Sequence, residues 1–412
     1  MKNTNHFYIR EFDTIDLAQK YETPLFVVDL KAIRENVRAY ETSIQKNYTN
    51  YMLCYAYKAN PLLRVCSTLK NMGCGAEIVS EGEFYVSDKV GLHPKKVVFN
   101  GVNKSKKEIL KCAESGVYML VADSIEEIDF TESVLTERNF SVHYGIRVNP
   151  EVNTGTHTFI ATGEKNAKFG VPYSFALTAF EKASQMDHIK LRGIHFHIGS
   201  QIKSLKPFSE AIDKIIDLYI KLEHQGINLD TIDVGGGLAV SNNTLNAPSI
   251  DEYVNLITSK IKEHSLGVKI IFEPGRRLLD NSGYVLLTVG SIKDTFAMVD
   301  AGANLFLRAV YLNWYYDVVV ANKMNYKCDV NYDIAGPLCF SGDIIAKNRS
   351  LPTLVRGDTL CVKNTAAYTL SMADTYNYRL RPKVIAIDDT IEVIKEEDTF
   401  EDLTRHEVNW NV

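Results

Sequence analysis

Apolar residues along this chain fall into two regimes. Between about residue 52 and residue 276, eight short β-rich runs each precede a segment long enough for a helix, the pattern of repeated βα units. The runs are MLCYAYKAN, GAEIVS, KVVFNG, VYMLVADS, VHYGIRVN, LRGIHFHIGS, TIDVGGG and KIIFEPG. Eight is the number that closes a barrel. The intervening segments carry helical spacing: Leu62, Val65, Cys66, Leu69 and Met72 form one stripe that ends at Gly73. Phe208, Ala211, Ile212, Ile215, Ile216 and Tyr219 form another after Pro207, with Asp213, Lys214 and Asp217 on the solvent side. Beyond about residue 279 the period becomes two, in GYVLLTVGSI, TLCVKNTAAY and KVIAIDDTIEVI, broken by turns such as Arg356-Gly357-Asp358. The expected fold is α/β: a (β/α)8 barrel over residues 26–278 and a mostly β domain over residues 279–412. Residues 1–25, through the FYIREF run, would add a strand to the second domain.

Length and charge narrow the function. The 412 residues, 45% hydrophobic and 24% charged, suffice for two domains with a large core. A net charge of -5, with no Lys/Arg cluster interleaved with aromatics, argues against nucleic acid as a partner. No apolar run approaches 18 residues, and MKNTNHFYIREFDTID is too polar for a secretory leader, so a cytoplasmic protein with no membrane partner is expected. Seven cysteines without CxxC pairs read mostly as small buried hydrophobes.

Unusual polar residues gather at the C-terminal ends of the predicted barrel strands: Lys58, Ser80, Asn100, Arg147, His197, Gly235–Gly237 and Glu273–Arg276. That rim is where such barrels place catalysis. Lys58 ends an apolar strand, where lost hydration favours the neutral amine needed for a Schiff base; a solvent-facing lysine is the plainer reading. Gly235-Gly236-Gly237 permits close backbone approach to a phosphate, or makes a tight turn. Glu273 and Arg276 offer a carboxylate and a guanidinium, or a surface pair. His195 and His197 share a strand face, and His197 could stack on an aromatic cofactor. Core histidines or a metal pair are the rivals, although a metal would need ligands from neighbouring strands, which offer mainly Lys, Ser, Asn and Gly. In GPLCFSGD, Cys339 is either a proton donor to a carbanion or a buried structural thiol.

Together, CYAYKANP, CGAEIVSEGE, VVFNG, VNTGTHTFIATGEKNAKFG, GIHFHIGSQI, DVGGGL, EPGRRL, GPLCFSGD and AAYTLSM resemble the diaminopimelate decarboxylase family. These are relatives of ornithine decarboxylases and alanine-racemase-like fold-type III enzymes dependent on pyridoxal 5'-phosphate. The resemblance implies that Lys58 carries the cofactor, His197 stacks on its ring and Glu273 holds the pyridine nitrogen. Ser200, Gly235–Gly237 and Gly275-Arg276 would hold the phosphate, with Tyr368 beside the cofactor and Cys339 as proton donor. It also implies a homodimer that shares active sites.

Arg308 matches the family arginine for a distal carboxylate, and the substrate end would include Arg276, Leu312, Phe340 and Tyr368. Two positions depart from the pattern: Phe340 stands where the family has Glu, and Leu312 where it has Tyr, with Tyr311 and Trp314 nearby. Losing the Glu removes a charge-assisted hydrogen bond worth about 1.5–3 kcal/mol. A substrate without a distal ammonium is therefore expected, with N-citrylornithine of carboxylate siderophore synthesis the leading candidate. Meso-diaminopimelate and lysine synthesis are the alternative, and a silent pyridoxal-phosphate-binding protein or a metal-dependent barrel hydrolase the readings from other classes.

Overall fold

The computed structural model describes residues 4–155, 162–164, 167–241 and 246–410. Two compact units divide the chain: Arg34–Leu278, and the segment ending at Ile33 taken with the segment from Leu279 onward.

The first unit is the barrel. Its eight strands are Tyr51–Ala56, Gly75–Ile78, Val97–Phe99, Met119–Ala122, Val142–Asn149, Ile189–His195, Thr231–Asp233 and Lys269–Phe272. All pair in parallel with their neighbours, and the eighth returns to the first through Ile270–Tyr51, Ile271–Met52 and Phe272–Leu53. Such strands are buried on both faces, which is why they read as continuous apolar runs. The interior is packed by Cys54, Val98, Met119, Val121 and Ile271. Gly145 and Gly193 make room there, because a Cβ on either would lie 2.7 Å and 3.1 Å from the Met119 sulfur.

The helices follow from their stripes. Leu63–Asn71 buries Val65, Cys66 and Leu69, and Gly73 turns the chain at φ +95°. Lys206–His224 starts with Pro207 and buries the predicted Phe208 to Tyr219 face. Ser80, expected on the catalytic rim, instead caps the helix Glu81–Lys89 by accepting the Glu83 N–H.

The second unit is a nine-stranded mixed sheet with Gly283–Lys293 near its centre. The FYIREF segment does not extend it. Tyr8–Ile9 and Phe12–Asp13 form a two-stranded sheet of their own. The strand that does join is Leu25–Asp29, antiparallel to Gly283–Lys293 and parallel to Lys383–Ile387. Residues 26–29 of it were expected at the start of the barrel. Ile9, Leu17, Leu25, Val27, Leu286, Cys361, Ile385 and Ile387 form the core beneath.

Candidate active site

The C-terminal ends of the barrel strands converge on a cavity of about 310 Å3, lined among others by Lys58, Asn100, Arg147, His195, His197 and Glu273. Lys58 lies just past strand one in the single turn Tyr57–Ala59. Its ammonium is not left among apolar groups, as the sequence suggested, because it donates to the fully buried carboxylate of Glu77 on strand two. Glu77 escaped sequence reading because it is one acid inside the apolar run GAEIVS.

Glu273 follows strand eight and is buried. Asn100 Nδ2 donates to both of its oxygens at 3.2 Å, and His195 Nε2 lies 3.2 Å from Oε2. Burial drives the His195 imidazole strongly toward the neutral form, and Arg147 adds to the effect. Neutral His195 with its proton on Nε2 is then a donor to Glu273. Arg147 is buried with Asp123, 3.6 Å away, and its guanidinium covers the Phe169 ring at 4.6 Å. Asp233, at the end of strand seven, completes the group: ligand atoms of His195, Asp233 and Glu273 all lie within 4.8 Å. The expectation that the strands beside His195 offer mainly Lys, Ser, Asn and Gly is thus corrected, since Asp233 and Glu273 stand next to it.

His197 sits past strand six. The Gly236 N–H donates to its Nδ1 at 3.2 Å, which places the ring proton on Nε2. Burial, with Arg147 and Lys58 nearby, keeps this imidazole neutral too. The glycines that follow are tightly constrained. Gly235 and Gly237 take φ +63° and +106°, and a Cβ on Gly236 would sit 2.4 Å from the Glu273 carbonyl oxygen. Gly236→Ala is therefore expected to cost about 1–3 kcal/mol of stability, read as a lowered Tm, because backbone must shift to admit the methyl. An unchanged Tm would refute that packing argument. Ser200 is half-buried in the loop beyond His197, while Gly275 and Arg276 are buried immediately after Glu273. Of the loop VNTGTHTFIATGEKNAKFG, residues 156–161 and 165–166 lie outside the described residues.

The remaining predicted residues belong to the second unit. Arg308, on the short helix Leu307–Tyr311, is buried, with its guanidinium 4.6 Å from the Tyr368 ring and 5.3 Å from the Trp314 ring. Chain reversal makes this possible, since Leu312 and Trp314 both donate backbone N–H groups to the Arg308 carbonyl. Leu312 is half-buried. Tyr368 is held at φ +58°, a conformation that non-glycine residues avoid. Cys339 is exposed, and its N–H donates to Asn377 Oδ1 at 2.8 Å. The loop that presents it is fixed by buried Asp343, which accepts the N–H groups of Ala303 and Leu338 at 2.6 and 2.7 Å. Phe340 is exposed and packs edge-on against Tyr376 with ring centres 6.1 Å apart.

Residues 30–280 match the family described as pyridoxal-dependent decarboxylase, pyridoxal binding domain. The chain is 33% identical over 392 residues to a diaminopimelate decarboxylase of Aquifex aeolicus, covering 94% of this chain and 92% of the relative. It is 33% identical over 417 residues to one of Methanocaldococcus jannaschii, covering 98% and 95%. The crystal structure of diaminopimelate decarboxylase from Helicobacter pylori complexed with L-lysine superposes with a TM-score of 0.91 at 33% identity, over 95% of this chain and 98% of that one.

These relatives overturn the expectation of an N-citrylornithine substrate and a siderophore role, which rested on Phe340 and Leu312. One lost charge-assisted hydrogen bond changes affinity by about ten- to hundredfold and leaves the reaction as it was, so two positions carry less weight than likeness along the whole chain. The side chains present fit pyridoxal phosphate. A primary amine, a buried carboxylate supplied with donors and a neutral imidazole face one small cavity, beside a glycine turn that admits no side chain. By its sequence, its barrel and the match of both to these enzymes, the chain belongs to the diaminopimelate decarboxylase family of fold-type III, pyridoxal-phosphate-dependent decarboxylases.

Proposed function

We propose that this enzyme decarboxylates meso-diaminopimelate to lysine. Similarity across almost the full length of proteins bearing that name carries the reading. Pyridoxal phosphate, when bound, supplies an electron sink for the pair left behind as CO2 departs. The chain's own residues do the rest. Lys58 would hold the cofactor through its amine. Glu77 accepts a hydrogen bond from Lys58 and balances its charge. His197 offers a flat neutral face for the ring, and Glu273 an anion for the ring nitrogen. Ser200, Gly235–Gly237, Gly275 and Arg276 take the phosphate. Cys339 delivers a proton to the reacting carbon, and Tyr368 and Arg308 complete the substrate end.

Arg308 suits a distal carboxylate because two aromatic faces fix its guanidinium before any ligand arrives. Trp314→Ala is expected to raise KM for meso-diaminopimelate about tenfold and to leave kcat within about threefold. A fall in kcat at unchanged KM would show that Trp314 does not serve this end of the substrate.

A homodimer belongs to the same proposal. Exposure of Phe340, Tyr376 and Tyr378 beside the exposed Cys339 favours a second copy of the chain over this surface. Sedimentation at twice the chain mass is expected, and a monomer that turns over at full rate would refute it. Cytoplasmic location is also proposed, supported by the free state of all seven cysteines, which suits a reducing compartment. No described helix is long and apolar enough to cross a membrane.

The deciding experiment is CO2 release and product identification by the cofactor-loaded protein supplied with meso-diaminopimelate. Stoichiometric lysine is expected. Turnover of another amino acid with none of meso-diaminopimelate would overturn the substrate assignment while leaving the family and cofactor in place.

A further inference from the structure

The carboxyl of Asp233 is completely buried at the end of strand seven. Its Oδ1 accepts the Gly235 N–H at 2.9 Å, while Oδ2 meets no donor among the described residues. An oxygen of the same carboxyl lies within 4.8 Å of a carboxylate oxygen of Glu273. Two ionised carboxylates this close and this buried repel, and both are pure acceptors, whereas one proton shared between them turns the repulsion into a hydrogen bond.

Among the described residues, the charged and titratable groups around the pair are already engaged or neutral. Lys58 pairs with Glu77, Arg147 sits beside Asp123, and His195 is neutral. The other titratable groups that face Asp233 are the Cys54 thiol on strand one and the Tyr253 phenol on the helix Ile250–Glu263. Burial holds both of them neutral.

We propose that Asp233 is a positioning residue that carries the proton of this pair, donating to Glu273 and accepting from Gly235. The carboxylate for the cofactor's ring nitrogen and the glycine turn for its phosphate are thereby tied into one rigid piece. The inference rests on the roles proposed for Glu273 and Gly235–Gly237 and is independent of which amino acid is decarboxylated. The division of the pair agrees with the environment. Burial pushes both carboxyls up, Asp233 far above the usual carboxylate range with Glu273 raising it further, while at Glu273 nearby Lys58 and then Asp233 offset part of the rise. Asp233 stores the proton, and Glu273 keeps the charge that a protonated ring nitrogen requires.

An asparagine reproduces a protonated aspartate, with its amide N–H to Glu273 and its carbonyl oxygen to Gly235; leucine reproduces neither contact. Infrared spectra of the holoenzyme are the primary test. A protonated-carboxyl band present in the wild type should vanish in Asp233→Asn. Equilibrium dialysis should then place the pyridoxal-phosphate Kd of Asp233→Asn within about threefold of wild type, and that of Asp233→Leu about ten- to hundredfold weaker. Identical infrared spectra for wild type and Asp233→Asn would overturn the proposal. So would an Asp233→Asn protein that binds cofactor as weakly as Asp233→Leu. The infrared comparison decides the matter even where Asp233→Leu fails to fold, and neither readout depends on the substrate.

Discussion

Lys58→Ala is expected to abolish decarboxylation, lowering kcat by about 10^4 or more, because the proposed covalent anchor of the cofactor goes with its side chain. Borohydride reduction followed by peptide mass analysis should label Lys58 in the wild type and nothing in the variant. Retention of even one part in about a hundred of the activity, or labelling at another lysine, would remove Lys58 from its proposed role. The fold should survive, since the Lys58 side chain is partly exposed. Its partner will respond. Burial already raises the Glu77 carboxyl above its ordinary value of 4.5, and Lys58 is the main influence that lowers it. Without the ammonium the folded chain holds a proton at Glu77 that the unfolded chain releases. Stability of Lys58→Ala should therefore fall, relative to wild type, as pH rises above about 4.5. Parallel Tm-against-pH curves for the two proteins would contradict this coupling.

That ion pair marks the boundary of what was legible in the chain. The barrel could be read because its period repeats eight times and each helix buries one stripe, as Phe208 to Tyr219 do on Lys206–His224. Lys58, Asn100, Arg147, His197 and Glu273 could be read because polar residues stand out at the ends of apolar runs. Glu77 and Asp233 could not. Each is a lone acid next to apolar neighbours, and each acquires its chemistry from an adjacent strand: Glu77 from Lys58 on strand one, Asp233 from Glu273 on strand eight. Sequence spacing carries no information about such cross-strand contacts.

The same limit misplaced LFVVD. Its five residues are all buried, so it lacks the alternation of a half-exposed strand, and only its partners Gly283–Lys293 and Lys383–Ile387 assign it to the second sheet. TLCVKNTAAY, too, stops being a strand at Lys363. Beyond it the chain packs so closely on Gly283 that a Cβ there would lie 2.0 Å from the Ala366 nitrogen. At the substrate end the error had a different source. Phe340 was read as a missing charge, although a single contact alters affinity more readily than it alters reaction type.

Glu273→Gln tests the neighbouring strand end of the same cavity and should produce the second largest loss. Glutamine matches the volume of glutamate and removes its charge, so the folded barrel and its Tm should change little. The electrostatic change is large. In the wild type Asn100 and His195 hydrogen-bond this carboxylate, which fixes its position without neutralising it. A charged partner for the ring nitrogen is worth more in this buried setting than at a surface, about 3–4 kcal/mol on the scale of other preorganised donors, or roughly 10^2 to 10^3 in kcat. Cofactor affinity should fall much less, because the residues proposed to take the phosphate are untouched. The discriminating quantity is thus the ratio of the two losses. A loss of kcat at least tenfold greater than the loss of affinity fits an anion that acts chiefly while electrons enter the ring. Equal losses would reduce Glu273 to a binding contact and leave the electron sink without its counter-charge on this strand.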